Sequence, residues 1–113
     1  LDPFPFSGST TTFEALLMGV PVVTLRGRTM AGNWTAGMLR GLGLDHLTAG
    51  TPEAYLALAK GLAADAGARA DLRAGLRAHL ARSPLCDHLR KTRQIERLYR
   101  AVWRRWCFTR SAV

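Results

Sequence analysis

The chain has 113 residues, 48% of them hydrophobic, with two cysteines and a formal net charge of +8 at neutral pH. That is enough for one small domain with a core, and no apolar run reaches the ~18 residues that a membrane span requires. Cys86 and Cys107 stand too far apart for metal or redox spacing, so a reduced, cytoplasmic protein is the expectation.

Leu1-Asp2-Pro3-Phe4-Pro5 reads as the end of a strand followed by a loop. The small residues Ser7-Gly8-Ser9-Thr10-Thr11-Thr12 come next, and apolar positions at Phe13, Leu16 and Leu17 then mark one face of a short helix. Thr11 and Glu14 have the S/T-x-x-E spacing of a capping box, in which each side chain bonds the other's backbone amide. Gly19 supplies a left-handed stop and Pro21 prevents continuation. Val20, Val22, Val23 and Leu25 form a β-branched apolar run, the pattern of a strand buried on both faces. Loop, helix, tight turn and parallel strand make one half of a βαβ crossover.

This order has chemical consequences. The first amides of a helix lack intrahelical partners and carry a partial positive charge that favours phosphate. Gly8 lets a backbone approach a ligand closely, and Thr10, Thr11 and Thr12 add hydroxyl donors without adding charge. Glu14 can bind a vicinal diol instead of its cap. Capping boxes are mostly structural, so the local chemistry leaves a plain capped helix and a phosphate site both open.

Beyond the polar turn Arg26-Gly27-Arg28-Thr29, Met30 to Arg40 reads as a helix with Met38, Leu39 and Leu42 facing the core, stopped by Gly41 and Gly43. Leu44 to Ala49 reads as a short strand or extended edge with Leu47 buried. Thr51-Pro52-Glu53 starts the next helix, with proline at its first position, and Tyr55, Leu56, Leu58, Ala59 and Leu62 give its apolar stripe. Asp65-Ala66-Gly67 is a break. A further helix runs from about Ala68 to Ala81, with Leu72, Leu76 and Leu80 as a core stripe and Arg69, Arg73 and Arg77 on a neighbouring, solvated face. His46 and His79 have no partners at metal-ligand spacing and read as surface residues.

Ser83-Pro84 turns the chain, and Asp87 caps a last helix running to about Trp106. Ile95, Leu98, Tyr99, Val102, Trp103 and Trp106 recur at helical spacing. The basic excess is concentrated in the same segment, at Arg90, Lys91, Arg93, Arg97, Arg100, Arg104, Arg105 and Arg110 against the single acid Glu96. Such a helix fits nucleic acid or an anionic membrane, but charged faces are usually just solvated, so nucleic acid and membrane are not the expected partners. The aromatic stripe needs cover, and self-association through this helix is the expectation for the isolated chain.

The longer string is more specific. Glu14-Ala15-Leu16, then Met18-Gly19-Val20-Pro21-Val22-Val23, resembles the E-A-x-x-x-G-x-P-V-V element of GT-B glycosyltransferases. Thr10-Thr11-Thr12 stands before it and Thr24-Leu25 after it, and Leu42-Gly43-Leu44, Ser83-Pro84-Leu85-Cys86-Asp87 and the ending Leu98 to Trp106 extend the match. Together they resemble the C-terminal catalytic region of the bacterial O-linked N-acetylglucosamine transferase/SPINDLY family, whose members often carry tetratricopeptide repeats.

The resemblance implies an α/β fold: a partial Rossmann-like C-terminal domain of a GT-B glycosyltransferase, with short parallel strands, several helices and a long C-terminal helix. It divides the chain into residues 1–86, a nucleotide-sugar-binding domain truncated at its N-terminus, and residues 87–113, a crossover helix and tail. It implies a UDP-sugar donor and transfer of N-acetylglucosamine to Ser or Thr hydroxyls of proteins, with inversion at the anomeric carbon and no catalytic metal or other cofactor. Carried over by position, Thr10 and Thr11 hold the donor diphosphate and Glu14 the ribose, with Gly8 and Ser9 completing the donor-binding set. Ser9 stands where animal members have histidine and many bacterial members glycine.

The family often continues after the strand with histidine and then A-S-R; here Met30, Ala31, Gly32 and Asn33 occupy those places, with Asn33 offering an amide and Trp34 a stacking surface. Since GT-B enzymes need two Rossmann-like domains, a chain this short reads as a fragment, inactive alone, with the catalytic base and a phosphate-binding lysine upstream. Two alternatives stand beside this reading. One is a UDP-sugar 2-epimerase, disfavoured by the Ser-Pro-Leu-Cys segment and the Trp-rich ending; the other is a basic helical interaction module.

Overall fold

The computed structural model describes residues 1–110; residues 111–113 of the expected C-terminal tail lie outside the described residues. Among the described residues, five helices and a two-stranded parallel sheet follow in the order α1 (Thr10–Leu17), β1 (Thr24–Leu25), α2 (Trp34–Gly41), β2 (Thr48–Ala49), α3 (Pro52–Ala64), α4 (Ala66–Arg82) and α5 (His88–Arg110). Thr24 pairs with Thr48 and Leu25 with Ala49. A parallel pair requires a crossover, and α2 with its flanking 3-10 turns supplies it. The N-terminal segment reaches the other side of the same strand region, where the Asp2 amide donates to the Val23 carbonyl at 3.1 Å.

The strand is shorter than the apolar run predicts. Val22 and Val23 are buried ahead of β1, but Val20 is 43% exposed and Leu25 half-buried. Gly19 takes the left-handed conformation at φ 74° that stops α1. Its amide and that of Val20 return to the carbonyls of Leu16 and Ala15, so Val20 still belongs to the helix terminus and not to the sheet. Leu44 to Ala49 is also mostly not strand: Asp45–Leu47 forms a 3-10 turn before β2, with Leu47 buried as its spacing predicts. Similarly, Ala31–Asn33 is a 3-10 turn, and α2 proper begins only at Trp34.

The core joins Leu16 of α1, Val22 and Val23, Leu39 of α2 with Leu42 just after it, and Leu76 and Leu80 of α4. Full burial of each such side chain stabilises the fold by about 1.5–3 kcal/mol. Tyr55, Leu58 and Leu62 of α3 pack against this cluster from outside, whereas Leu56 of the predicted stripe is exposed. Thr51 caps α3 by accepting the Ala54 amide at 3.2 Å, and Asp65 caps α4 by accepting that of Ala68 at 2.8 Å. The cap at Asp65 starts α4 at Ala66, two residues before the predicted start, and takes Gly67 into the helix. Arg69 is not simply solvated: its guanidinium donates to the carbonyls of Leu62 and Ala63, closing the end of α3.

Leu85 and Cys86 still touch the core. Asp87 then caps α5, accepting the Arg90 amide at 2.9 Å as predicted, and the helix runs past Trp106 to Arg110. With 23 residues it is about 35 Å long, and it buries none of them. It draws the molecule out to 64 × 30 × 19 Å. Among the described residues, no helix is long and apolar enough to cross a membrane.

Candidate functional site

The loop ahead of α1 is built around a buried carboxylate. Asp2 is only 6% exposed. Its Oδ1 accepts the Gly8 amide at 2.8 Å, the Thr35 hydroxyl at 3.0 Å and, more distantly, the Thr12 hydroxyl at 3.5 Å. Its Oδ2 accepts the Thr24 hydroxyl at 2.7 Å. Thr12 and Thr35 also share a hydrogen bond of 3.1 Å, and Thr35 lies 3.0 Å from the Gly8 carbonyl. A buried carboxylate is costly unless its lone pairs are met; here the donors come from the loop, α1, β1 and α2, so one charge ties four segments together.

Ser7 performs a second joining role. Its hydroxyl donates to the Ala31 carbonyl at 2.8 Å and accepts the Trp34 amide at 3.1 Å. It thereby caps α2 from 27 residues away.

The start of α1 differs from the expected capping box. Ser9, not Thr11, is the N-cap, and it makes no side-chain cap bond. The first intrahelical bond runs from the Phe13 amide to the Ser9 carbonyl, which puts Thr11 inside the first turn, where it cannot cap. The reason is tertiary: Thr12 points into the Asp2 cluster, and that winds the three threonines into the helix. Their amides point out of the helix start with no acceptor among the described residues.

Gly8 and Thr11 line one depression of about 220 Å³, together with Asp2, Thr12 and Pro21. Ser9 is half-buried at its side, and Thr10 and Glu14 are exposed, one helical turn apart. The structure thus places Thr10 and Thr11 in the first turn of α1 and Glu14 one turn further along, with Ser9, Thr10 and Glu14 outside the lining of that depression. Gly8 differs from the rest: its amide is bonded inward to Asp2 and its carbonyl faces the Thr35 hydroxyl, so it supplies no donor. A larger cavity of about 550 Å³ lies between α3 and α4, lined by Ala54, Leu58, Leu62 and Leu72, with His46 and Asp65 among its walls. It is mostly apolar and shares no residue with the depression at α1.

The segment after β1 is folded onto itself. The Asn33 amide donates to the carbonyls of Gly27 and Thr29 at 2.7 and 2.6 Å, so it is not a free amide for a ligand. Gly32 is buried, and a Cβ there would lie 2.8 Å from the Pro5 carbonyl oxygen. Trp34 meets Phe6 edge to face, with ring centroids 5.2 Å apart. Met30 is exposed.

Sequence reasoning missed Asp2, Ser7, Thr12, Thr24 and Thr35 as organisers. A signal was present: Thr12 and Thr35 each stand four residues before a core leucine, Leu16 and Leu39. A threonine on a core stripe requires a hydrogen-bond partner. Tyr55 adds a further link, donating from its hydroxyl to the Asp2 carbonyl at 2.7 Å. Burial, and after it the negative charge of Asp2, push the Tyr55 phenol above its usual range.

Residues 1–95 match the family described as Glycosyl transferase family 41. The chain belongs to glycosyl transferase family 41. Family 41 relatives include a protein of Solanum lycopersicum named as a probable UDP-N-acetylglucosamine–peptide N-acetylglucosaminyltransferase SPINDLY. It is 45% identical over 95% of this chain and 12% of its own length. A UDP-N-acetylglucosamine–peptide N-acetylglucosaminyltransferase of Caenorhabditis elegans is 30% identical over 94% of this chain and 9% of its own length. A point mutant of the O-GlcNAc transferase of Thermobaculum terrenum superposes with a TM-score of 0.87 at 46% identity, over 96% of this chain and 21% of that one. The expected fold class, the C-terminal part of a GT-B transferase, therefore holds. The chain spans 12% of the plant relative's length and 21% of the solved transferase.

Proposed function

We propose that this chain is the donor-binding part of a protein O-glycosyltransferase that moves N-acetylglucosamine from a UDP-sugar to Ser or Thr hydroxyls of proteins. The observation that carries this reading is the start of α1. Side chains cap α2, α3, α4 and α5, whereas α1 opens with no side-chain cap among the described residues. Outward amides beside two exposed threonines and a carboxylate one turn further on are what a nucleotide diphosphate requires. In this reading the Thr10 and Thr11 amides and hydroxyls hold the diphosphate. Ser9 flanks them, Gly8 lines the depression beside them, and Glu14 accepts from the ribose hydroxyls. No metal is required, and the base that activates the acceptor hydroxyl belongs to the rest of the parent protein.

Calorimetry with UDP on the full-length parent tests the assignment. Removing one hydrogen bond to a charged group costs about 1.5–3 kcal/mol, so Thr11→Ala and Glu14→Ala are each expected to weaken UDP about 10- to 150-fold. Unchanged affinity in both would overturn it. Family membership favours transfer over the epimerase alternative, and product analysis with UDP-N-acetylglucosamine and no acceptor separates the two, since only an epimerase would convert the sugar.

The exposed stripe of α5 supports one further part of this reading: the isolated chain self-associates through Leu98, Val102, Trp103 and Trp106. Sedimentation that remains monomeric at high concentration would refute this.

A further inference from the structure

We propose that Asp2 is a positioning residue for the donor site: it holds Gly8 from inside and so sets the direction in which the first turn of α1 presents its amides. This rests on the donor-binding reading above. Asp2 is almost wholly buried at the base of the depression that Gly8 and Thr11 line. Its carboxylate lies beneath the loop, with the Gly8 amide, the Thr35 hydroxyl and the Thr24 hydroxyl converging on it. Thr35 also reaches the Gly8 carbonyl. The Gly8 amide is therefore fixed inward, with its carbonyl within reach of the one Thr35 proton that it shares with Asp2, and the next amides along the chain are left to face out.

The space around Gly8 supports the same conclusion. A Cβ on it would lie 2.2 Å from Thr12 Oγ1 and 2.9 Å from Asp2 Oδ1. Thr12 is buried and β-branched, so it has little freedom to give way. The loop thus lies so close to Asp2 and Thr12 that no side chain fits at Gly8. Its other end is fixed by Ser7, which is bonded to Ala31 and to the start of α2. Misplacing a binding group by about 1 Å costs up to about 100-fold, so an anchor beneath the loop controls donor binding without contacting the donor.

The test is steady-state kinetics on the full-length parent, with the melting temperature of each variant measured in parallel. Asp2→Ala is expected to raise the donor KM about ten-fold or more with little change in kcat. Asp2→Asn is expected to recover most of that loss. Its carboxamide oxygen accepts from Gly8 and Thr35, while its NH2 donates to Thr24 Oγ1, whose own proton turns away. A merely structural role would lower melting temperature in proportion and leave KM alone. Should Asp2→Ala fail to fold, Thr35→Val keeps the side-chain shape and removes the hydroxyl shared between Asp2 and the Gly8 carbonyl; a donor KM raised at least about three-fold then supports the proposal, and an unchanged KM overturns it. Thr11→Ala separates the two levels of the argument. If it weakens the donor while Asp2→Ala and Thr35→Val do not, positioning by Asp2 is wrong and the site stands. If Thr11→Ala has no effect, the donor-binding reading fails and the proposal with it.

Discussion

Around the start of α1, a single buried carboxylate is satisfied by hydroxyls and an amide from the loop, α1, β1 and α2. In α5, by contrast, Ile95, Leu98, Tyr99, Val102, Trp103 and Trp106 form a stripe of which no residue is buried. Trp103 and Trp106 stack on one another at 5.0 Å and Arg110 lies over the Trp106 ring at 4.8 Å, so the aromatic groups cover part of themselves. The first region is polar in composition yet closed within this chain. The second has the strongest apolar pattern in the sequence yet finds no core. Periodicity marks which face of a helix wants cover; it does not show that the same chain provides it.

The comparison is broken or sharpened first at the core. Leu16→Ala, on the fully buried face of α1, is expected to cost about 2–5 kcal/mol in denaturant unfolding. At protein concentrations too low for self-association, Leu98→Ala on α5 should stay within about 0.5 kcal/mol, as exposed substitutions do. A large Leu98 effect that grows with protein concentration would mean that a second copy covers the stripe.

Gly8→Ala probes the polar side of the comparison. Forcing a methyl group into the Asp2 and Thr12 contacts should cost about 1–3 kcal/mol, and a neutral outcome would show that the clamp yields. Next in size is Asp87→Ala, which removes the cap of α5 and should cost about 1 kcal/mol, read as lost helicity by circular dichroism. Because α5 has no packed face to hold its first turn, that loss should be confined to the helix end.

The smallest effect concerns Tyr55. Its phenol is raised above the ordinary value near about 10, so its contribution is fully present below that value. It is lost as pH rises through the higher folded value, because the unfolded phenol releases its proton first. Stability should therefore fall above about pH 10, and Tyr55→Phe should flatten that part of the profile. An identical slope in the variant would separate Tyr55 from the Asp2 segment.

Sequence reading found each of the five helices, but began α2 early, at Met30, began α4 late, at Ala68, and ended α5 short, at Trp106. Thr51-Pro52 and Asp87 are local signals, bonding amides three residues away, and the leucines of α4 recur on one face whatever surrounds them. Gly19 was equally legible, since its positive φ is a property of one residue. At the candidate site, the positions of Thr10, Thr11 and Glu14 on one helix were legible and the form of its start was not. The capping-box spacing is present, but capping depends on where the helix begins, and that is decided by Thr12 meeting Asp2 and Thr35.

What the sequence by itself determined is therefore the set of helices, their stops and their apolar faces, because each depends on contacts within a few residues. The tertiary structure decided the short strands, the uncapped start of α1, the inward role of Gly8 and the burial of Asp2. The bond from Thr35 to Asp2 spans 33 residues, and that from Tyr55 to Asp2 spans 53. No local period encodes such a pairing; it exists only once β1, α2 and α3 have brought those donors around one carboxylate.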